Sequence, residues 1–155
     1  LVEVYKRHAL TLTGMTDLAV ARYSGCGWDW AISAGGPGED RVWDCDGLSS
    51  SGIEIVGEFN GNASFDSLYT EQSNGTDFFV AEVSQSGGWV DIVTEGGIGI
   101  DRASGIAHKE RGATYVSGVI SSDITIGGDT LRHIGGYNDE NHLHILRAQS
   151  LYHYS

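Results

Sequence analysis

Two acidic, glycine-rich loops are the first places where the sequence offers side chains that could do chemistry. Each loop reads Gly-Gly-x-Gly-x-Asp-Arg, and the loops end at Asp40-Arg41 and Asp101-Arg102. Glycines before an acid could shape a cradle for a ligand, but glycine more commonly supplies the positive-φ turn between two strands. The Asp would then cap the loop and the Arg would pair with a neighbouring acid. We expect mainly this structural role, and the best ligand-binding candidates in the loops are Glu39, Asp40, Glu95 and Asp101.

A second acidic cluster, Asp44-Cys45-Asp46-Gly47, resembles the start of a calcium loop, where one tight turn supplies several carboxylate oxygens. The position two before Asp44, where the pattern begins, is Val42, and the twelfth position falls on Ile53 instead of Glu. A turn that ends a strand is therefore the favoured interpretation. Calcium held by Asp44 and Asp46 is the alternative.

His142 and His144 are two residues apart, which on a strand places both imidazoles on one face. Such a pair could bind zinc or copper. No third ligand is evident in the sequence, and alternating histidines on an outer strand more commonly face solvent. The metal site at His142 and His144 is again the alternative interpretation.

Four tryptophans suggest stacking on sugar rings, but packing between sheets uses large aromatic side chains first. Trp28 and Trp89 occupy equivalent places in an internal repeat, which indicates a packing role that was copied with the repeat. Trp30 and Trp43 have no counterpart and are the freer candidates for ligand binding.

Composition excludes several classes of function. The formal net charge of -12 would repel nucleic acid and anionic lipid, and no apolar stretch approaches the ~18 residues of a membrane helix. The sequence shows no basic segment followed by an apolar run, which is the pattern expected of a signal peptide. The sequence has no nucleophile elbow, P-loop or dinucleotide motif, so we expect a protein that is not an enzyme.

The two cysteines and two sequons add weaker expectations. We expect Cys26 to be exposed in a turn and Cys45 to be buried, too far apart for a disulfide unless the strand assignment is wrong by one strand. Asn62 and Asn74 begin Asn-x-Ser/Thr sequons in polar segments, where a glycosylated loop is the alternative to a chance match.

These residues lie on an internal repeat. A shift of 61 residues lays the segment 27–41 over the segment 88–102, so one supersecondary unit has been copied. Alternating apolar runs bounded by Gly, Asn, Asp and Ser predict antiparallel strands at 40–46, 53–59, 77–83 and 89–94 in the fullest copy. The next copy predicts strands at 101–108, 113–120, 142–148 and 151–154. At the front, strands are predicted at 2–5, 17–23 and 27–33.

The repeat resembles the SBBP repeats of bacterial and archaeal β-propellers. The likeness is carried by the strand Asp77–Val83, by Gly88-Trp89, by the loop ending at Asp101 and by the segment 112–118, which reads Gly-Ala-Thr-Tyr-Val-Ser-Gly. It implies an all-β propeller with blades of four antiparallel strands. The single repeat domain 1–155 would divide into a partial blade (1–33) and two blades (34–94 and 95–155). The family motifs mark blades and not an active site.

About two and three-quarter blades cannot close a propeller of about four to eight blades. Either the chain belongs to a longer protein, or copies associate. We therefore expect a noncatalytic, extracellular or cell-surface module for adhesion or for binding a glycan or a protein, without a required cofactor. One alternative is a structural subunit that assembles into a ring or filament by blade completion. Another is a propeller hydrolase.

Overall fold

The computed structural model describes residues 10–48, 52–70, 72–109 and 113–134, together with the backbone of one strand at 143–149. These residues form strands, turns and loops, and no helix among them could cross a membrane. The prediction of an all-β chain is confirmed. The fourteen strands of this part of the chain are β1 (Leu18–Ser24), β2 (Gly27–Ala34), β3 (Arg41–Leu48), β4 (Gly52–Asn60), β5 (Ser64–Phe65), β6 (Leu68–Tyr69), β7 (Asn74–Ser84), β8 (Trp89–Glu95), β9 (Ile98–Ile100), β10 (Arg102–Lys109), β11 (Ala113–Val119), β12 (Ile124–Ile126), β13 (Asp129–Leu131) and β14 (Leu143–Gln149).

Three sheets contain most of these strands. The central sheet has the antiparallel path β3-β4-β7-β8, and β9 adds in parallel to the start of β7. The first sheet is the hairpin β1-β2, and the third sheet has the order β10-β11-β14. All four strands predicted between residues 40 and 94 are therefore present. The strands predicted at 2–5 and 151–154 lie outside the described residues.

The repeat is visible in the strand registers. Hairpins β1-β2 and β7-β8 pair in the same way, and both have a β-bulge at the same point, after Arg22 in one and after Glu82 in the other. Hairpins β3-β4 and β10-β11 also match, with the extra bulged residue at Trp43 and Ser104. Bulges re-aim the chain locally, so their repetition indicates that the copied units share backbone shape as well as sequence.

The central sheet is buried on both faces. One face, with Ile55, Phe59 and Phe79, packs against Leu18 and Ala34 of the first sheet. The opposite face, with Val56 and Phe78, packs against the third sheet through side chains such as Ala103, Ile106 and Val116. This arrangement explains why β4 has apolar side chains at adjacent positions such as Ile55 and Val56, since adjacent side chains point into two different cores.

Two small hairpins were not predicted. The residues between β4 and β7, for which the sequence predicts no strand, contain β5-β6, and the third unit has the equivalent hairpin β12-β13. Their turns match, because Asp66 and Gly127 both have φ of 58°. Phe65 and Ile124 are buried in the two cores, so each hairpin packs against the interface between two sheets.

Three local predictions are wrong. Asp44–Gly47 lie inside β3, not in a turn. Cys45 is exposed instead of buried, although both cysteines are free thiols as expected. Trp28 has the same register as Trp89 but does not pack into a core: it is 67% exposed and its ring makes an edge contact with Tyr23.

Candidate functional site

The two Gly-Gly-x-Gly-x-Asp-Arg loops connect successive sheets, and we call residues 35–41 the first joint and residues 96–102 the second joint. The aspartate of each joint holds the loop in shape. Asp40 Oδ2 accepts a hydrogen bond from the Gly36 amide at 2.7 Å, and Asp101 Oδ2 accepts one from the Gly97 amide at 2.8 Å. Both side chains are buried. The predicted capping role of Asp40 and Asp101 is confirmed, and neither carboxylate faces solvent as a ligand group would.

Glycines in these loops serve close approach more than turning. A Cβ added to Gly36 would lie 1.6 Å from the carbonyl oxygen of Asn62, in the loop before β5. Gly99 has φ of 112°, which favours glycine, but Gly36 is not in the positive-φ region. The expectation that the glycines act through positive φ therefore holds at Gly99 and is wrong at Gly36.

A second aspartate lies beside each loop. Asp17 lies immediately before β1 and Asp77 lies at the equivalent position in β7, and they contact the equivalent glycines Gly35 and Gly96. Burial raises the pKa of Asp77 to about 6, and the charge of Asp101 contributes to this rise. Burial is likewise the main reason that the pKa of Asp101 is raised. Each joint thus holds two nearby acids in a poorly solvated position.

Two arginines meet at one buried glutamate above the first loop. Arg41 pairs with Glu58 at 3.1 Å and with Glu39 at 2.7 Å, and Arg102 donates to the other oxygen of Glu58. The Glu58 side chain is 1% exposed, whereas Arg41 and Arg102 are 40% and 38% exposed. The prediction that both arginines pair with neighbouring acids is confirmed.

An open cleft of about 280 Å³ lies over this cluster. Its lining consists of Met15, Gly38, Glu39, Arg41, Glu58, Asn60 and Thr76. The cleft therefore presents carboxylate, guanidinium, amide and hydroxyl groups beside one apolar side chain. Such a set can exchange hydrogen bonds with a polar, uncharged or weakly charged ligand.

Trp43 lies next to the cluster and not in the cleft lining. The Arg102 guanidinium lies over the Trp43 ring, 5.0 Å from its centroid, and the tryptophan remains 45% exposed. This cation–π contact links Trp43 to Glu58 through Arg102. Glu39 and Trp43 are thus brought near one another by the network, whereas Asp40 lies beneath it.

The other predicted site residues are elsewhere. Trp30 lies in the middle of β2, where its indole nitrogen donates to the Gln85 carbonyl at 2.9 Å. Glu95 ends β8, opposite Phe78, and burial raises the pKa of its carboxyl group. Asp101 belongs to the second joint. The structure therefore does not collect the predicted ligand-binding residues into one site.

The candidate calcium residues connect two sheets. Asp44 Oδ2 accepts from the Ile106 amide at 3.1 Å, and Asp46 Oδ2 accepts from the His108 amide at 2.6 Å. The hydrogen bond from the His108 amide is the main reason that the pKa of Asp46 is lowered. Among the residues that the structure describes, no three His, Cys, Asp or Glu side chains form a metal-binding group. His142 lies outside the described residues, and only the backbone of His144 is described.

The sequons are accessible. Asn62 and Asn74 are both exposed, Asn62 in a loop before β5 and Asn74 at the first position of β7. Accessibility is necessary for glycosylation, and it leaves the prediction for these two positions standing.

Glu58 is the residue that sequence reasoning missed. It lies inside an apolar strand, where its equivalent in the next unit is Val119, because Arg41 pairs across from Glu58 as Arg102 pairs across from Val119. A charged residue at a position that the other copy fills with valine was the available signal. Comparison of the chain with protein-family models, with curated proteins and with solved structures finds no match.

Proposed function

We propose that the chain is a noncatalytic binding module built from propeller-type blades, that it acts outside the cell or on its surface, and that its ligand is a glycan. Two features support the blade architecture. Equivalent hairpins repeat with the same registers and bulges, and successive sheets pack face to face. The resemblance of the repeat to SBBP blades points the same way.

One observation carries the binding proposal: the cleft over Glu58 exists at the first joint because the repeat is broken there. Glu58 holds Arg41 and Arg102 at the surface, and Glu39 orients Arg41 from the other side. A sugar offers closely spaced hydroxyl groups that both accept and donate hydrogen bonds. Glu39, Arg41, Asn60 and Thr76 supply both kinds of partner in one open cleft.

The same geometry argues against a hydrolase. Glycoside hydrolysis needs two carboxyl groups facing each other across the bond, ~5 to 9 Å apart, one of them able to give a proton. The two carboxylates of the cleft, Glu39 and Glu58, are both paired with Arg41. Both carboxylates therefore already hold a guanidinium group, and Glu58 is only 1% exposed, which suits binding better than proton transfer to a substrate.

A glycan array tests the proposal, with calcium present in one arm and removed in the other. We expect a restricted set of hits, and we expect Glu39→Gln and Trp43→Ala to weaken binding to those glycans. Tyr69→Ser is the matched control, because Tyr69 is an exposed aromatic residue on the hairpin β5-β6, away from the cleft lining. An array without hits in both arms would remove the glycan, and a protein ligand would become the better candidate.

The second candidate function is a structural subunit that self-assembles. A specific observation favours it: Trp28 is exposed at the position where its equivalent, Trp89, packs onto Phe65 with ring centroids 4.9 Å apart. The mass of the protein in solution at several concentrations distinguishes this function from ligand binding by a monomer.

A further inference from the structure

The outer face of the first sheet is built like a surface that is buried elsewhere in the same chain. The registers of β1-β2 and β7-β8 place Tyr23 opposite Trp28 as Val83 is placed opposite Trp89. By the same alignment, Ala19 and Ala21 correspond to Phe79 and Ala81. The list of equivalent pairs is therefore Ala19 with Phe79, Ala21 with Ala81, Tyr23 with Val83 and Trp28 with Trp89.

These equivalent side chains differ sharply in exposure. Phe79 and Val83 are fully buried, and Trp89 packs against the core between the central and first sheets. Tyr23 and Trp28 are 62% and 67% exposed. The exposed aromatic pair occupies the positions that, one unit later, form the interface between two sheets.

The interface between units already occurs twice within the chain. The first sheet packs on the central sheet, and the central sheet packs on the third sheet, each time through the same two faces of the repeat. The alignment of registers also identifies the face that would come next. Val116 lies on the face of the third sheet that packs on the central sheet. The next face is the opposite one, and it carries Tyr115 and Lys109.

That last face has fewer carboxylates than its equivalent in the central sheet. At the joint between the central and third sheets, Asp46 accepts from the His108 amide and Glu54 accepts from the Thr114 hydroxyl. The equivalents of Asp46 and Glu54 in the third sheet are Ala107 and Tyr115. Among the described residues, the first face thus carries Tyr23 and Trp28, and the last face carries Tyr115 and Lys109 in place of the carboxylates that bond across the interface between the central and third sheets.

We propose that the Tyr23/Trp28 face of one copy docks on the Tyr115 face of a second copy, head to tail, so that association continues the stacking found inside each chain. This rests on the self-assembly function proposed above and names its two surfaces. The contact uses different surfaces on the two partners, so it is heterologous and generates a ring or a chain of copies. It needs no strand exchange, in contrast to blade completion by strand addition.

Sedimentation velocity over a range of concentrations tests the docking. We expect the wild-type chain to associate, and Tyr23→Ser with Trp28→Ser to weaken association by about tenfold or more, since aromatic anchors dominate such interfaces. Tyr69→Ser should leave it unchanged, because it removes an equally exposed aromatic group from another surface. A chain that is monomeric at every concentration would overturn the proposal, as would association that the double variant leaves intact.

Mixing two blocked variants tests the head-to-tail geometry. The Tyr23/Trp28 double variant keeps the last face, and Tyr115→Glu, which copies Glu54 of the central sheet, keeps the first face. Each alone should be monomeric, and the mixture should form 1:1 dimers that grow no further. Absence of these dimers would overturn the geometry. If the wild type is monomeric and the double variant melts at a lower temperature, another part of the same chain covers the face and the proposal fails, whatever the glycan array shows.

Discussion

Asp40 and Asp101 offer a matched pair for testing how the joints are held. They occupy the same position in successive units and both are buried, but the second of their two backbone hydrogen bonds differs in geometry. Asp101 accepts from the Gly97 and Ser121 amides, both at 2.8 Å. Asp40 accepts from the Gly36 amide at 2.7 Å, and the Asn60 amide, which is equivalent to Ser121, interacts with the same carboxylate without reaching Oδ1 in normal hydrogen-bond geometry. Replacing each aspartate by asparagine therefore removes different amounts of bonding.

The expected difference follows from what asparagine can accept. At position 101 the amide side chain has one acceptor oxygen for two backbone donors, so the Gly97 or the Ser121 amide faces an NH2 group. A buried donor left without an acceptor costs about 1–3 kcal/mol. At position 40 the oxygen can face the Gly36 amide, and the NH2 group faces the Asn60 amide, so only a poorly aligned interaction is lost. Asp101→Asn should thus lower the free energy of unfolding by about 1–3 kcal/mol more than Asp40→Asn.

Urea unfolding at pH 7, followed by tryptophan fluorescence and by circular dichroism, measures this difference. For a domain of this size it corresponds to about 2–4 °C in Tm per kcal/mol. Asp129→Asn is the control for loss of one negative charge, because Asp129 is exposed in the hairpin β12-β13. Equal losses of stability in the Asp40 and Asp101 variants would refute the reasoning, as would a larger loss at position 40.

Three further outcomes are expected. The folded-state pKa of Asp77 is raised from 3.8 to about 6, so ionising it reduces the folding stability as the pH rises between those two values, and the loss is complete above them. Lowering the pH from 7 towards 4 should restore this stability in the wild type but not in Asp77→Asn. Thermal melts at each pH measure the difference. Gly36→Ala should reduce the Tm strongly because its Cβ would overlap a backbone carbonyl, whereas Gly47→Ala, with open space around it, should change the Tm little. Trp30→Phe should cost about 1 kcal/mol in urea unfolding through loss of its hydrogen bond, and Trp28→Phe should cost close to nothing for the monomer.

The strand pattern was readable from the sequence because it depends on local alternation. The strands around Ile55 and Phe79 have apolar residues in runs bounded by polar turns, and both were predicted within a few residues of their ends. The hairpin β5-β6 was missed because its strands are two residues long. A run of that length carries no period. Its stability comes from Phe65 packing into a core that is assembled by distant parts of the chain.

Exposure was harder to predict than strand position. Cys45 and Trp28 were both assigned to packing because of their places in the repeat, and both are exposed. Equivalence of position determines which face of a strand a side chain occupies. It does not determine whether another sheet covers that face, since coverage depends on the neighbouring unit.

The candidate site illustrates the same limit in its electrostatics. Arg41 and Arg102 were expected to pair with nearby acids, and local sequence does supply Glu39 for Arg41. The acid that joins the two arginines, Glu58, lies 44 residues from Arg102 and meets it only after the central and third sheets have stacked. No periodicity could have shown that contact. The substitution pattern between copies could have pointed to Glu58, because its equivalent is Val119.

Repetition and function therefore lie on different residues of the same joints. Asp40 and Asp101, with their glycines, recur because each joint has the same backbone to hold. The arginines recur too, but each is a partly exposed cation whose position is fixed only when an acid pairs with it. Glu58 supplies one acid to two arginines at the first joint, where it also lines the cleft. Burying the Glu58 carboxylate without both arginines would be strongly destabilising. The stacking of the central and third sheets brings Arg102 to Glu58, and it therefore stabilises a charged cleft at a position where the next unit has Val119.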